Sequence, residues 1–315
     1  MKKVLHIILL FLLTCGASHA QTITDGLMMP KKTFCTGFMY GHDKWTDYWQ
    51  GTRKRDNESI GSLTSQSVTW MGTYGISKKF NVIAMLPYIE NKLSAGTLHD
   101  QRGLQDITIA LKYNLFNAKI IDSADFKVFG GLAYSMPVTN YVVDFLPLSL
   151  GSGTKRLAWR INLNYSFKKT WYANISSAYT WRSNVTLDRD SYTTSGHLYA
   201  GSEVWMPNVA DLFATIGYHK QALQIEASYT LQKTLGGDDI FRQDMPFVSN
   251  QMNFSKVGAL VMYYLPYPKY LAVRATASYT VAGRNVGQTT TIMGGLMYTI
   301  FFTKDKSLKG LSSSN

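Results

Sequence analysis

The feature that most constrains this chain is a two-residue alternation of apolar and polar side chains, clearest in QALQIEASYTLQ at residues 221–232. Leu223 and Ile225 lie in one phase, whereas Gln224 and Glu226 lie in the other. Successive side chains of a β-strand point to opposite faces, so the pattern predicts a strand with one apolar and one polar face. Such a strand fits either a sheet on a soluble core or the wall of a membrane barrel.

The same alternation recurs along the whole chain and predicts an all-β protein of about 12 strands. It is clear at 106–115, 157–167 and 271–281. Weaker examples lie near 33–41, 66–76, 80–88, 125–136, 171–182, 210–219, 255–265 and 290–302.

The connections between these segments alternate between short and long, which is typical of outer-membrane barrels. We therefore expect an antiparallel transmembrane β-barrel with short periplasmic turns and long extracellular loops. Residues 195–206 read as a further strand, but we assign them to a loop; a hidden strand near 140–150 would raise the count to 14. The short links are 77–79, 168–169, 220–221 and 266–269, the medium one is 117–124, and the long ones are 42–61, 89–104, 137–155, 183–209, 232–254 and 282–289.

Aromatic residues decide between a soluble sheet and a membrane barrel. Amphipathic rings gather at membrane interfaces, and a soluble sandwich needs no such belt. The last predicted strand ends at Phe302, which resembles the terminal aromatic signal that barrel-assembly machinery reads. The outward-phase aromatics at strand ends are Tyr74, Tyr88, Tyr113, Tyr134, Tyr165, Tyr179, Trp181, Tyr229, Tyr263, Tyr279 and Tyr298.

The N-terminal residues 1–20 have the form of a secretory signal peptide: a basic start, an apolar stretch and small residues at the end. We expect cleavage between Ala20 and Gln21, a barrel over 21–302 and a periplasmic tail over 303–315. A loose lipobox ending at Cys15 is the alternative. Cleavage would leave one cysteine, and therefore no internal disulfide.

The chain is basic, with a net charge of +12 that falls to +10 without Lys2 and Lys3. Export argues against a nucleic-acid partner. We expect an outer-membrane location, with outer-membrane lipid, lipopolysaccharide and the barrel-assembly machinery as partners.

The inward phase holds the candidates for a transport path. Its charges are mostly basic and would either favour anions or pair with one another inside a narrow barrel. Its methionines and other apolar residues would either line a path for small hydrophobic molecules or simply pack. The candidates are Met39, Met71, Ile83, Met85, Lys112, Arg160, Arg182, Glu226, Lys256, Met262, Arg274, Met293 and Met297; Asp106, Lys127 and Leu260 lie in the same phase.

The sequence offers little for catalysis or metal binding. His99-Asp100 and Asp238-Asp239 are the suggestive acidic groupings, and both lie in predicted outside loops. No loop has the spacing of a calcium site, and Cys35 has no CxxC partner. We therefore expect no enzyme, no catalytic residue, no metal and no cofactor.

Short motifs resemble the MetA-pathway of phenol degradation family. They are GLQD at 103–106 with the following ITIALKYNL, AMLPYIE at 84–90, GGDDIFRQDMPF at 236–247 and AGRNVGQ at 282–288. The resemblance covers most of 30–302 and implies an outer-membrane barrel transporter, distantly similar to the long-chain fatty acid transporter group. Only about ten residues precede the first strand, which departs from the long N-terminal plug of that group.

Three functions remain open at this point. The first is passive transport of small hydrophobic or amphipathic molecules through the lumen. The second is a structural or adhesive barrel whose extracellular loops bind partners or surface lipid. The third is a barrel hydrolase that uses loop carboxylates. The substrate and the direction of transport do not follow from the sequence.

Overall fold

A computed structural model describes residues 22–194, 196–241 and 246–302. The predicted signal peptide, its cleavage site and the tail 303–315 lie outside the described residues. Among the described residues no helix is long and apolar enough to cross a membrane.

Twelve antiparallel strands form one closed barrel, as the alternation predicts. Each strand pairs with the next, and the last pairs with the first over Thr33↔Phe301 to Lys44↔Thr290. Closure leaves no unpaired edge, which the bilayer requires. The strands are β1 Thr33–Trp45, β2 Leu63–Gly75, β3 Phe80–Leu93, β4 Asp106–Ile121, β5 Ala124–Pro137, β6 Arg156–Phe167, β7 Trp171–Arg182, β8 Val209–Lys220, β9 Leu223–Thr234, β10 Asn253–Tyr264, β11 Leu271–Arg284 and β12 Thr290–Phe301.

The two uncertain segments do not add barrel strands. Within 195–206, the strand His197–Ala200 pairs with Ser191–Thr194 as a hairpin inside a long loop. Residues 140–150 form no strand. The count of 12 is therefore confirmed, and the alternative of 14 is wrong for the described chain.

The predicted medium link at 117–124 is wrong, because β4 continues to Ile121 and turns within two residues. The register of β4 against β5 shifts between Asn114 and Phe116 and again between Lys119 and Ile121. Each β-bulge inserts an unpaired residue and breaks the strict alternation. The strand therefore continues past the point where its sequence pattern ends.

The outer face of the barrel is apolar, and no second layer formed by the described residues packs on it. Phe38, Trp159 and Ile216 are 60%, 60% and 69% exposed. Such a surface belongs in lipid, because a soluble protein would bury it. Of the predicted belt aromatics, Tyr263 alone is not strongly exposed and packs instead against a buried cluster.

The long connections form a packed cap at one end of the barrel. The hairpin Asp47–Gln50 with Arg53–Asp56 follows β1, and Val185–Thr186 pairs with Glu203–Val204 in the loop after β7. A separate apolar cluster lies under these loops: Val143, Val185, Leu187, Val204, Met206 and Val248. The cap covers the extracellular mouth.

Candidate functional site in the barrel lumen

Strand register places all the lumen candidates in the inward phase. Met39, for example, lies opposite Thr69 of β2 and Gly295 of β12, and Lys112 lies opposite Asn81 and Gly131. The same pairing rows place the other candidates inward: Met71, Ile83, Met85, Arg160, Arg182, Glu226, Lys256, Met262, Arg274, Met293 and Met297.

The lumen has two unlike halves, which we call the methionine half and the polar half. The methionine half is the inner face of β10–β12 and β1–β3, strands that are contiguous through closure. It carries every inward methionine of the barrel strands. The polar half is the inner face of β4–β9 and carries no methionine. Its charged residues include Asp106, Lys112, Asp125, Lys127, Arg156, Arg160, Arg182, Asp211 and Glu226.

Most basic side chains of the polar half are engaged rather than free. Arg160 pairs with Asp211 at 2.9 Å, and Arg156 pairs with Asp106 at 2.7 Å. Arg182 donates to the backbone oxygen of Pro207 at 2.6 Å. The lumen charges therefore neutralise one another, which argues against a simple anion-conducting lining.

The segment 22–31, between the predicted cleavage site and β1, folds into the lumen from the periplasmic end. Lys112 is fully buried, and its ammonium group donates to the carboxylate of Asp25 at 2.8 Å. It also donates to the backbone oxygens of Thr22 at 3.0 Å and Asp25 at 2.7 Å. We call residues 22–31 the luminal segment. Its position inside the lumen was not predicted from the sequence.

Asparagines of the polar half bind the backbone of the luminal segment. Asn162 donates to the Ile23 oxygen at 2.6 Å, and Asn174 donates to the Thr24 oxygen at 3.0 Å. The segment has no strand partner at these residues, so side chains satisfy its carbonyls. The run of inward asparagines on neighbouring strands was the feature of the sequence that could have predicted a backbone segment bound inside the lumen.

The far end of the luminal segment packs on the methionine half. Met29 is 1% exposed and lies in one apolar cluster with Cys35, Leu260, Met262 and Met297. Met71 packs against the same cluster. The luminal segment therefore fills the space between the two halves, with hydrogen bonds on one side and apolar contacts on the other.

Two cavities lie on either side of this filled region. The periplasmic cavity, about 330 Å³, adjoins Asp25 and Leu27 and is bordered by Lys127, His219 and Glu226. Beside it, Tyr172 donates to Glu226 at 2.5 Å. The outer cavity, about 790 Å³, lies within the extracellular cap.

The outer cavity has an aromatic wall. Tyr192 and Phe247 line it and stack at 5.5 Å between ring centroids, and Tyr199, outside the lining, stacks on Tyr192 at 5.3 Å. The guanidinium of Arg189 lies 5.6 Å from the Phe247 ring. Phe241 is half exposed at the cavity. Aromatic faces of this kind bind apolar and planar molecules with little specificity.

The two cations of the methionine half make no ion pair within the described residues. Lys256 lies 4.8 Å from the Phe254 ring, and Arg274 has a buried Nε without a hydrogen-bond partner. Both lie along the apolar wall on β10 and β11. This wall is therefore apolar but still carries positive charge.

The acidic groupings considered for catalysis are in the cap. Asp239 binds Arg284 and Asn285, and Thr194 donates to Asp238 at 2.7 Å. His99 and Asp100 are exposed. The described residues contain no group of three or more His, Cys, Asp or Glu side chains that could hold a metal ion.

No protein-family model matches the chain, and no curated protein matches it significantly. Among solved structures, an outer membrane channel from Pseudomonas putida F1 superposes with a TM-score of 0.69 at 11% identity, covering 90% of this chain and 100% of that one. A KdgM porin gives 0.41 at 9% identity, with 83% and 98% coverage. A deltaS2 mutant of the TodX monoaromatic hydrocarbon channel gives 0.41 at 9% identity, with 87% and 91% coverage. The first comparison shows that this chain shares the fold of an outer-membrane channel.

Proposed function

We propose that the protein is an outer-membrane channel for passive transport of small hydrophobic or amphipathic molecules. The observation that carries this proposal is the divided lumen, in which a continuous methionine wall lies opposite a polar wall that binds the luminal segment. Methionine side chains are unbranched and polarizable, so they accommodate apolar ligands of varied shape. A purely water-filled pore has no use for such a wall.

The two cavities mark the ends of this path. A molecule from outside would first contact the aromatic wall of the outer cavity. It would then follow the methionine half, and it would leave through the periplasmic cavity. The luminal segment fills the lumen between the two cavities, so it must shift before a molecule passes.

The test is flux of a hydrophobic fluorescent probe into vesicles that contain the refolded protein. Met262→Lys should reduce the flux strongly, because it places a charge in the cluster around Met29. Met262→Leu keeps the apolar character and nearly the volume, so it should leave the flux near the wild-type value. Equal flux through both variants would contradict the proposal.

A second function is favoured by the ordered cap. The hairpin 47–56 and the stacked rings of Tyr192 and Tyr199 form a structured surface that could bind a partner outside the cell. An adhesive barrel would tolerate Met262→Lys and lose binding when the hairpin 47–56 is shortened. A hydrolase would lose activity in Asp239→Asn alone.

We also propose that the chain belongs to the MetA-pathway of phenol degradation family. Its proposed partners are lipopolysaccharide and the barrel-assembly machinery. The short motifs at 84–90 and 103–106 support that family. The first lies in β3, and the second joins β4 to a short strand, Gln101–Leu104, that pairs with Tyr88–Asn91 of β3. Between them, Gln105 donates its backbone N–H to the Pro87 oxygen at 2.9 Å.

A further inference from the structure

A groove on the outer wall of the barrel, at the extracellular rim, combines apolar and basic side chains. It encloses about 460 Å³ and runs across the outward faces of β1, β12 and β11. Its lining includes His42, Lys44, Tyr279 and Ile292. We call it the rim groove.

Strand register explains how these side chains meet. Lys44 lies opposite Thr290, and Thr290 lies opposite Tyr279, so the three form one row across the strands. His42 lies opposite Ile292, two residues along each strand from Lys44 and Thr290 and closer to the membrane centre. Ile292 is 59% exposed toward the lipid side. The groove therefore changes from apolar to basic as it approaches the rim.

The hairpin 47–56 places an ion pair at the upper edge of the groove. Lys54 donates to the carboxylate of Asp47 at 2.7 Å, and Asp47 itself lines the groove. The pKa of Lys54 is raised, chiefly by this hydrogen bond and also by the nearby Tyr279 hydroxyl. Lys54 thus lies close to the upper edge of the groove, and its pairing neutralises the acidic lining residue.

Two cations here have no acidic partner among the described residues. Lys44 makes no ion pair. The Nε of Arg55, which lies in the hairpin opposite Tyr48, is buried without an acceptor. By contrast, the rim lysine Lys92 on β3 pairs with Glu90 at 2.9 Å. Unneutralised positive charge at a lipid headgroup level attracts phosphate.

We propose that the rim groove binds a phosphorylated glycolipid of the outer leaflet, with its phosphate against Lys44 and an acyl chain along Ile292. The arrangement fits one amphipathic anion in one orientation. This site rests on the lipopolysaccharide partner proposed above, but the groove faces lipid rather than the lumen, so it does not depend on transport.

The probe is bis-phosphorylated lipid A, titrated in mixed micelles against the refolded, fluorescently labelled protein. Lys44→Gln should weaken binding about five-fold, since a lysine near a charged headgroup contributes on the order of 1 kcal/mol. Lys119→Gln is the matched control, because Lys119 is an exposed lysine near the opposite rim that pairs with Asp122. It should bind lipid A as the wild type does.

Two competitors identify what the groove recognises. Lipid A stripped of its phosphates should bind at least as weakly as Lys44→Gln binds the intact lipid, and inorganic phosphate should not displace the lipid. Equal binding of wild type and Lys44→Gln would overturn the site. Displacement by inorganic phosphate would overturn the glycolipid and leave an anion site. Gel mobility before and after heating shows that each variant is folded.

Discussion

The ammonium nitrogen of Lys112 lies 2.8 Å from a carboxylate oxygen of Asp25, and this contact joins the wall of β4 to the luminal segment. Lys112 is fully buried, while Asp25 is only 17% exposed at its side chain. Breaking a buried pair by removing one partner costs about 3–5 kcal/mol, because the other charge stays without compensation. The position of the luminal segment therefore depends strongly on one lysine.

Lys112→Met should release the luminal segment and raise the conductance several-fold. The variant removes the ion pair with Asp25 and both hydrogen bonds to backbone oxygens. Single-channel recording in planar bilayers measures the change. Lys256→Met is the control, because Lys256 is an inward lysine without an ion pair among the described residues. If the two variants conduct alike, Lys112 does not hold the segment in place.

Gly26→Leu should displace the luminal segment by steric conflict. An added Cβ at Gly26 would lie 2.8 Å from the Cβ of Asn164, closer than such atoms pack. Gly294→Leu is the matched control, because nothing lies within 4 Å of a Cβ added at Gly294 on the outer wall. Digestion with a protease added at the periplasmic side should cut the N-terminal region of the first variant faster. Unchanged digestion would mean that the segment accommodates the side chain.

Asn285→Gly should loosen the cap without changing the barrel. The Asn285 side chain is 3% exposed and accepts from the backbone N–H groups of Gly51 and Ile240. Its φ of 54° suits glycine, so the substitution removes contacts without backbone strain. Each donor left unpaired costs about 1–3 kcal/mol.

Amide hydrogen exchange should show faster exchange at Gly51 and Ile240 in Asn285→Gly. Asn184→Gly is the control, because Asn184 makes an exposed contact with Glu203 in another loop. Equal exchange rates in the two variants would show that Asn285 does not join these loops.

The attachment of the loop 235–252 should be insensitive to pH down to about 4. The Arg284 guanidinium binds Asp239 through two hydrogen bonds and lowers the pKa of that carboxyl below its ordinary value of 3.8. A carboxyl whose pKa is lower in the folded state stabilises the fold when the pH is above its pKa in the unfolded state. This contribution is lost as the pH falls through its pKa in the folded state. Protease sensitivity of the loop should therefore rise only below pH 4, and Asp239→Asn should be equally sensitive at every pH. Loosening of the wild-type loop near pH 6 would contradict this.

The fold was readable from the sequence because barrel strands alternate on two faces. QALQIEASYTLQ, residues 221–232, overlaps β9 over residues 223–232, and the strand ends two residues later at Thr234. The pattern failed at β4, where the bulges around Phe116 and Ile121 shift the phase. Register shifts depend on the partner strand, which a single segment does not reveal.

The luminal segment was not readable in the same way. TITDGLMMPK has no periodicity, and its contacts are with asparagines more than 100 residues away, as in Asn162 with Ile23 at a separation of 139. Local patterning carries no information on such contacts. The inward phase of Lys112 could be predicted, but its partner Asp25 could not.

The divided lumen also bears on how the molecule is made. Strands β4–β9 are consecutive in the chain, so the polar half forms from neighbouring hairpins. The methionine half comes from both ends of the sequence and is complete only when β1 pairs with β12. Met39 of β1 and Met297 of β12 then share one wall for the first time. An unclosed assembly intermediate would therefore already bind its own N-terminal residues through the polar half, while still lacking the surface along which a hydrophobic molecule would travel.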